Sequence, residues 1–407
     1  MALKKRNNRS RGLAAVLLSG LLLAALPLTA FAEEGDELVL QDNVLAYSEL
    51  GAAIRSGSPE YTQSMDSLNA TIAMYQRAED ELRFEAGIAY SDGKDGEKEA
   101  RKLSGEDRSG VSEAAMEDYM EATTDRMSAD MYNDRIKSLT SWSGMASYRQ
   151  LERRLTAAAE QTMISYETLK LQKEAAEKSA ELYSEKQRIM EMKRTAGAAT
   201  DADVTGAQNQ YLSAAVSLSQ AEDSLSETYT ELCRSVGRAA DGSLTIADIP
   251  APTAEELSAI DDINLETDTA KAIGNNSTLI SQRHQNKEDQ LKSTPYRNYL
   301  ERTTESGEAD LTETMRQLYE DLYAKRDALN TAEIKRAAAE RQFQDANLKY
   351  SAGMLDRAGY LDAELAKLNA DTAVRSAELS MVQAISTYNW AVAGQVSVSL
   401  PTSGGGR

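Results

Sequence analysis

The chain has 407 residues, a formal net charge of −20, one cysteine, and only three Phe and two Trp. That acidity excludes a nucleic-acid binder, which needs clustered Lys and Arg to meet phosphates, and a charge-held contact with anionic lipid. One cysteine excludes an intrachain disulfide, and so few Phe and Trp argue against a big globular core, leaving burial to long helix–helix seams.

Lys4, Lys5, Arg6, Arg9 and Arg11 precede an apolar run from Leu13 to about Leu28. Ala30-Phe31-Ala32 offers a small-x-small cleavage site, so residues 1–32 are predicted to be a secretory signal peptide. Ser19, Gly20 and Pro27 interrupt the run, which is short for a membrane span. Loss of the five basic residues takes the formal charge from −20 to −25, in a chain exported to the cell envelope. No later segment could cross a bilayer as a helix.

No proline occurs between Pro59 and Pro250, and Ala, Glu, Leu, Lys and Gln dominate there, so this stretch is helical by propensity. A short helix is expected from Leu38 to about Gly57 and a second from Met65 to about Tyr90. Ser91 to Ser109, charged and carrying three glycines, reads as a loop. Met116, Met120, Met127 and Met131 follow at helical spacing. Thioethers suit Cu(I), but no His or Cys lies near, so the stripe reads as a packed helix face filled by a flexible side chain. Thr140 to Gly144 reads as a break.

The first long hairpin rises from about Tyr148 to Ala196, with Leu155, Leu169, Ala176, Tyr183 and Met190 on one heptad row. Its tip is Gly197, a position that calls for positive φ. Thr200 and Asp203 form a capping box at the start of the return. On the return Val204, Tyr211, Leu218, Leu225 and Leu232 recur every seven residues, with Ala207, Ala214 and Ala221 between them. The arms measure roughly 70 Å and 55 Å.

The pattern returns 156 residues later. Ala363, Ala370 and Ala377 fall on the three alanines, and Tyr360, Val374, Met381 and Tyr388 on four of the large positions, with Lys367 departing. Gly353 answers Gly197. Val236-Gly237 is answered by Ala393-Gly394, and Ala53 to Ser58 is echoed weakly by Ala272 to Ser277. An internal repeat of this length is an architectural statement. It divides the chain into a first repeat over 33–238, a linker over 239–262, a second repeat over 263–395 and a disordered tail over 396–407. Leu322, Leu329, Phe343 and Tyr350 mark the second rising arm. His284 sits in a polar run with no ligand set around it and has no assigned role.

Chemistry-bearing constellations are missing: no nucleophile–base pair, metal-ligand cluster or phosphate loop stands out, so neither enzyme activity nor a cofactor or metal is expected. The fold class is all-α, with two pseudo-repeated long antiparallel coiled-coil hairpins.

A glycine at a hairpin tip, an acid six residues on, and an alanine-punctuated heptad ending in a small-Gly pair resembles the outer-membrane efflux protein family, the TolC-like exit ducts. Gly197, Asp203 and Val204 match the first tip, and Gly353, Leu361 and Asp362 the second. Gly359 stands where the second tip usually has another acid. The resemblance implies a homotrimer closing a six-hairpin α-barrel, tips that dock a periplasmic-type adaptor, and an inner-membrane pump that supplies the energy. In such ducts second-repeat acids ring the tip aperture. As residues alone, Asp203 and Asp362 read equally as helix-end carboxylates favoured by the dipole. Members of the family with a membrane barrel carry a β-hairpin in each half. Ser91–Ser109 and Lys292–Asp310 show no alternating strands of about nine to eleven residues, so no membrane β-barrel is predicted. Without one, the location shifts from the outer membrane towards the outer face of the cytoplasmic membrane or the wall space. The alternative function is a non-conducting envelope scaffold or binding protein. An adaptor is disfavoured, since the chain has two hairpins and no strand pattern for a lipoyl-like domain.

Overall fold

Helix ends and glycines set the frame of this protein. A computed structural model describes residues 43–288 and 293–398, which fall in one unit beginning at Asn43. The predicted cleavage site at Ala30 and Ala32, and the tail beyond residue 398, lie outside the described residues.

The chain enters through strand β1 (Val44–Leu45) and a 3-10 turn into helix α1 (Leu50–Gly57). Helices α2 (Pro59–Ala100) and α3 (Glu106–Thr140) form a first hairpin, and α4 (Ala146–Thr195) and α5 (Asp201–Ser235) a second. Strand β2 (Thr245–Ile246) pairs in parallel with β1, Thr245 N–H donating to the Asn43 carbonyl at 2.8 Å. Then come α6 (Ala254–Ala259), α7 (Leu265–Asn275), α8 (Ser277–Glu288), α9 (Thr294–Ser351) and α10 (Arg357–Val392). The long hairpins and the break at 141–145 stand where the heptads and Trp142 place them.

Four helices form a row in the order α5, α4, α10, α9. α5 packs on α4, α4 on α10 and α10 on α9. Ala207, Ala214 and Ala221 are buried in the α4–α5 seam, and Val374, Met381 and Tyr388 in the second hairpin. Small residues at seven-residue spacing let the axes approach closely, as in any coiled-coil seam. α4 has a neighbour on each side, so its deepest residues (Met163, Ile164, Leu182 and Ile189) lie beside the expected heptad row rather than on it. Lys367, the departure from the repeat, pairs with Glu340 of α9 at 2.7 Å and sits over the Phe343 ring.

The internal repeat is carried by matching contacts. α4, α5, α9 and α10 each end on a glycine with φ between 68° and 86°. Each closes with the same pair of hydrogen bonds, the next residue's N–H reaching back five positions, as from Arg238 to Cys233 and from Gln395 to Trp390. Gly237 lies on the end of α1: a Cβ there would fall 1.8 Å from the Gly57 carbonyl oxygen. Gly394 lies likewise on the end of α7, where a Cβ would come within 2.5 Å of the Asn275 carbonyl. The faint echo of residues 53–58 in 272–277 is therefore a shared docking point.

Three expectations need correction. The segment 91–109 is not a loop: α2 runs to Ala100 and the turn is 101–105. Its glycines are contact points, since a Cβ on Gly93 would come within 2.9 Å of the Ala115 carbonyl, and its charges pair along the helix, as in Lys98–Asp95 and Arg101–Glu97. The methionine stripe is not a packed face. Ala115, Ala122 and Ala129 make the α2–α3 seam, and the four methionines are pushed to the opposite side, each more than 60% exposed. The expected helix from Leu38 to Gly57 begins only at Leu50 within the described residues. Apart from these three, the segment 239–262 carries β2, α6 and a 3-10 turn, with Ile249 and Ile260 buried. In the second half the polar tract after Pro295 is the start of α9, with Pro295 in the first turn where its missing N–H costs nothing.

Candidate functional site

Both tips of the long hairpins lie at one end of the four-helix row. At the first, the Gly197 N–H donates to the Arg194 carbonyl at 2.9 Å and the Ala198 N–H to the Lys193 carbonyl at 2.7 Å. At the second, the Gly353 N–H reaches Tyr350 at 3.0 Å and the Met354 N–H reaches Lys349 at 2.8 Å. The left-handed φ of 71° and 70° is what lets the chain reverse in so few residues, and nothing lies within 4 Å of either glycine where a side chain would be.

The return helices start by different devices. Thr200 accepts from the Asp203 N–H at 3.2 Å while the Asp203 carboxylate accepts from the Thr200 N–H at 2.8 Å, the reciprocal box read from the sequence. That backbone hydrogen bond, with a second from the Thr200 hydroxyl, holds the Asp203 carboxyl below its ordinary value. Val204, one residue on, is half-buried on α5. At the second tip Asp356 caps α10, accepting from the Gly359 N–H at 2.9 Å, and its other oxygen accepts from Lys193 of the first hairpin at 2.7 Å. The lysine first, and then the Gly359 amide, lower the Asp356 carboxyl. Sequence spacing does not disclose the Asp356–Lys193 bridge, because the two residues are 163 apart in the chain.

The tips are joined by more than that pair. Arg357 donates two hydrogen bonds to Glu185, at 2.9 and 3.0 Å, and Asp362 pairs with Lys186 at 2.6 Å. Beneath these pairs Leu182, Ile189, Ala358 and Leu361 form a small apolar core. Leu361 is 2% exposed, so it faces α4 and not a partner of the chain. Asp362 remains more than half exposed despite its lysine. Gly197, Gly353 and the capping box face solvent, and Met354, next to the second tip glycine, is 73% exposed. The arrangement suits a rigid end surface that mixes charge with one large apolar side chain. Among the described residues no group of three or more His, Cys, Asp or Glu is placed to hold a metal ion.

No family model and no curated protein matches the chain. Among solved structures it is similar to the outer-membrane channel OprN, at 14% identity over 86% of this chain and 90% of that one, with a TM-score of 0.49. It is similar to the outer membrane protein VceC from Vibrio cholerae at 13% identity, over 86% and 96% of the two chains, with a TM-score of 0.46. CusC, described with transmembrane channel formation, follows at 11% identity, over 84% and 95%, with a TM-score of 0.44.

Proposed function

We infer that this chain is the subunit of a TolC-like export duct. Copies stand side by side as a homotrimer, and their six long hairpins enclose a water-filled bore. The duct is passive; an inner-membrane transporter supplies the energy and an adaptor protein docks at the tips around Gly197, Thr200, Asp203, Gly353 and Asp362. The observation that supports this most is the pair of open edges on the four-helix row. α5 and α9 are its outer helices, and each leaves large apolar side chains uncovered on the side away from its neighbour. Leu212 and Val216 on α5 are 50% and 56% exposed, and Ile334 and Leu348 on α9 are 72% and 69% exposed. Val216 lies 15 residues from the start of α5 and Ile334 17 from the end of α9, about 23 Å and 26 Å from the tips. The α5 edge of one copy therefore meets the α9 edge of the next at matching height.

Residues 59–100 and 106–140 are helical where duct proteins with a membrane barrel carry their first strands, and none of the described helices is long and apolar enough to cross a membrane. The duct we infer is thus an exported one in the cell envelope, standing in the space outside the cytoplasmic membrane. Negative-stain electron microscopy of the chain from Glu33 onward is the test. End-on views should be rings with a stain-filled centre. Solid rods without a bore would remove the duct reading and leave a non-conducting envelope scaffold.

A further inference from the structure

The α2–α3 hairpin carries two apolar stripes that its own fold leaves bare. On α2, Phe84 and Ile88 are 69% and 48% exposed. On α3, Met116, Met120, Met127 and Met131 are 61%, 63%, 66% and 73% exposed. At 100° per residue the methionines fall within one narrow stripe, on the side of α3 opposite Ala115, Ala122 and Ala129. Phe84 and Ile88 lie in the same way opposite Ala86 and Gly93. The hairpin thus presents apolar surface on its two outward faces, pointing in opposite directions.

The α2 stripe is level with the middle of the methionine stripe. Tyr90 meets Tyr119 with ring centroids 5.4 Å apart, and Tyr75 meets Tyr132 at 5.7 Å, which fixes the register of the two helices. In that register Ile88 stands at the height of Met120, and Phe84 between Met120 and Met127. Two opposed patches at one height fit a head-to-tail contact, in which the same pair of surfaces recurs around a ring.

We propose that the α2–α3 hairpin is a second self-association element, in which the methionine stripe of one copy packs on the Phe84–Ile88 stripe of the next. Phe84 and Ile88 span about 6 Å and the methionines about 22 Å, so the pair meets the middle of the methionine stripe, around Met120 and Met127, and flanking residues of both helices supply the rest of the roughly 1,000 Å² that a specific contact needs. Thioethers adapt to an aromatic and a branched neighbour without a preset shape. Arg77 continues the α2 stripe level with Met131 and three residues, about 4.5 Å, along the axis from Asp134, which also pairs with Lys137 at 3.3 Å. A lipid occupant fits poorly, because Glu81 and Glu85 border one stripe and Glu113 and Glu117 the other, and interfacial helices carry Lys and Arg there. The contact extends the helical wall beyond the two long hairpins, over the stretch where a barrel hairpin is replaced by helix. It rests on the ring inferred above for its closure, but uses a different surface.

The test is cross-linking in the chain from Glu33 onward with Cys233→Ser, which removes the one native thiol. The variant with both Ile88→Cys and Met120→Cys should give dimer and trimer bands with a short bismaleimide, and neither single variant should. Adding Met127→Glu should weaken those bands several-fold while helicity by circular dichroism is kept. Bands from a single variant would overturn the proposal in favour of a face-to-face pair. Trimer mass without bands would overturn it and leave the duct reading standing. A monomer throughout would sink both. Absence of bands together with co-sedimentation on phosphatidylcholine vesicles would overturn it in favour of a lipid-facing stripe.

Discussion

Glu160 shows how much of this fold hangs on single side chains. Its carboxylate accepts from the Tyr47 hydroxyl at 3.2 Å, the Trp390 indole N–H at 2.8 Å and the Ser386 hydroxyl, joining the N-terminal segment and α10 to α4. Glu160→Ala strands three half-buried donors and should cost about 2–3 kcal/mol in chemical denaturation, whereas a surface pair such as Asp362–Lys186 should cost less than about 1 kcal/mol on Asp362→Asn. Leu361→Ala, at a site 2% exposed, should cost about 2–4 kcal/mol for the lost burial and the cavity. The tip carboxyls give a pH signature. Asp203 and Asp356 are held below their ordinary value of 3.8, so their contribution is full above about pH 4 and lost as pH falls through the lowered values. Amide protection at the tips, corrected for the intrinsic exchange rate, should hold above about pH 4 and fall as pH drops below it. Lys193→Met, which removes the first cause of the Asp356 shift, should lessen that fall. Of these residues the sequence exposed only the local ones. Thr200 and Asp203 are three apart, so their box is legible from spacing. Glu160 and Trp390 are 230 apart, and nothing in the order of residues joins them.

At the scale of elements, the long hairpins were readable because a coiled-coil seam repeats every seven residues and a tip demands a glycine. Gly353→Ala forces a side chain into φ 70° and should destabilise the second tip by about 1 kcal/mol, seen as faster exchange in residues 348–358. The α2–α3 hairpin was misread at both ends of the same physics. Gly93 and Gly96 look like breakers, yet they are the points where α2 touches α3. Methionines look like core, yet alanines hold the seam. A single sequence shows periodicity but does not say which of two faces is covered. Gly93→Leu should separate the hairpin by overpacking, at about 1–3 kcal/mol, with protection lost in α2 and α3 and kept in α4 and α5.

At the scale of the molecule, a four-helix row with apolar side chains on both outer edges is an unfinished surface. Val216 and Ile334 gain nothing from remaining in water, and in the ring inferred above a second copy would bring them together at matching height. The tip pairs (Lys193 with Asp356, Arg357 with Glu185) hold the two hairpins of the chain in one orientation, which the inferred ring requires of each copy. Val216→Glu together with Ile334→Glu should abolish assembly and leave helicity intact. The measurement that bears most directly on the account is the solution mass, by light scattering, of the chain from Glu33 onward. A single species of three protomer masses, persisting on dilution, is the result the ring requires. A monomer at the highest attainable concentration would contradict it.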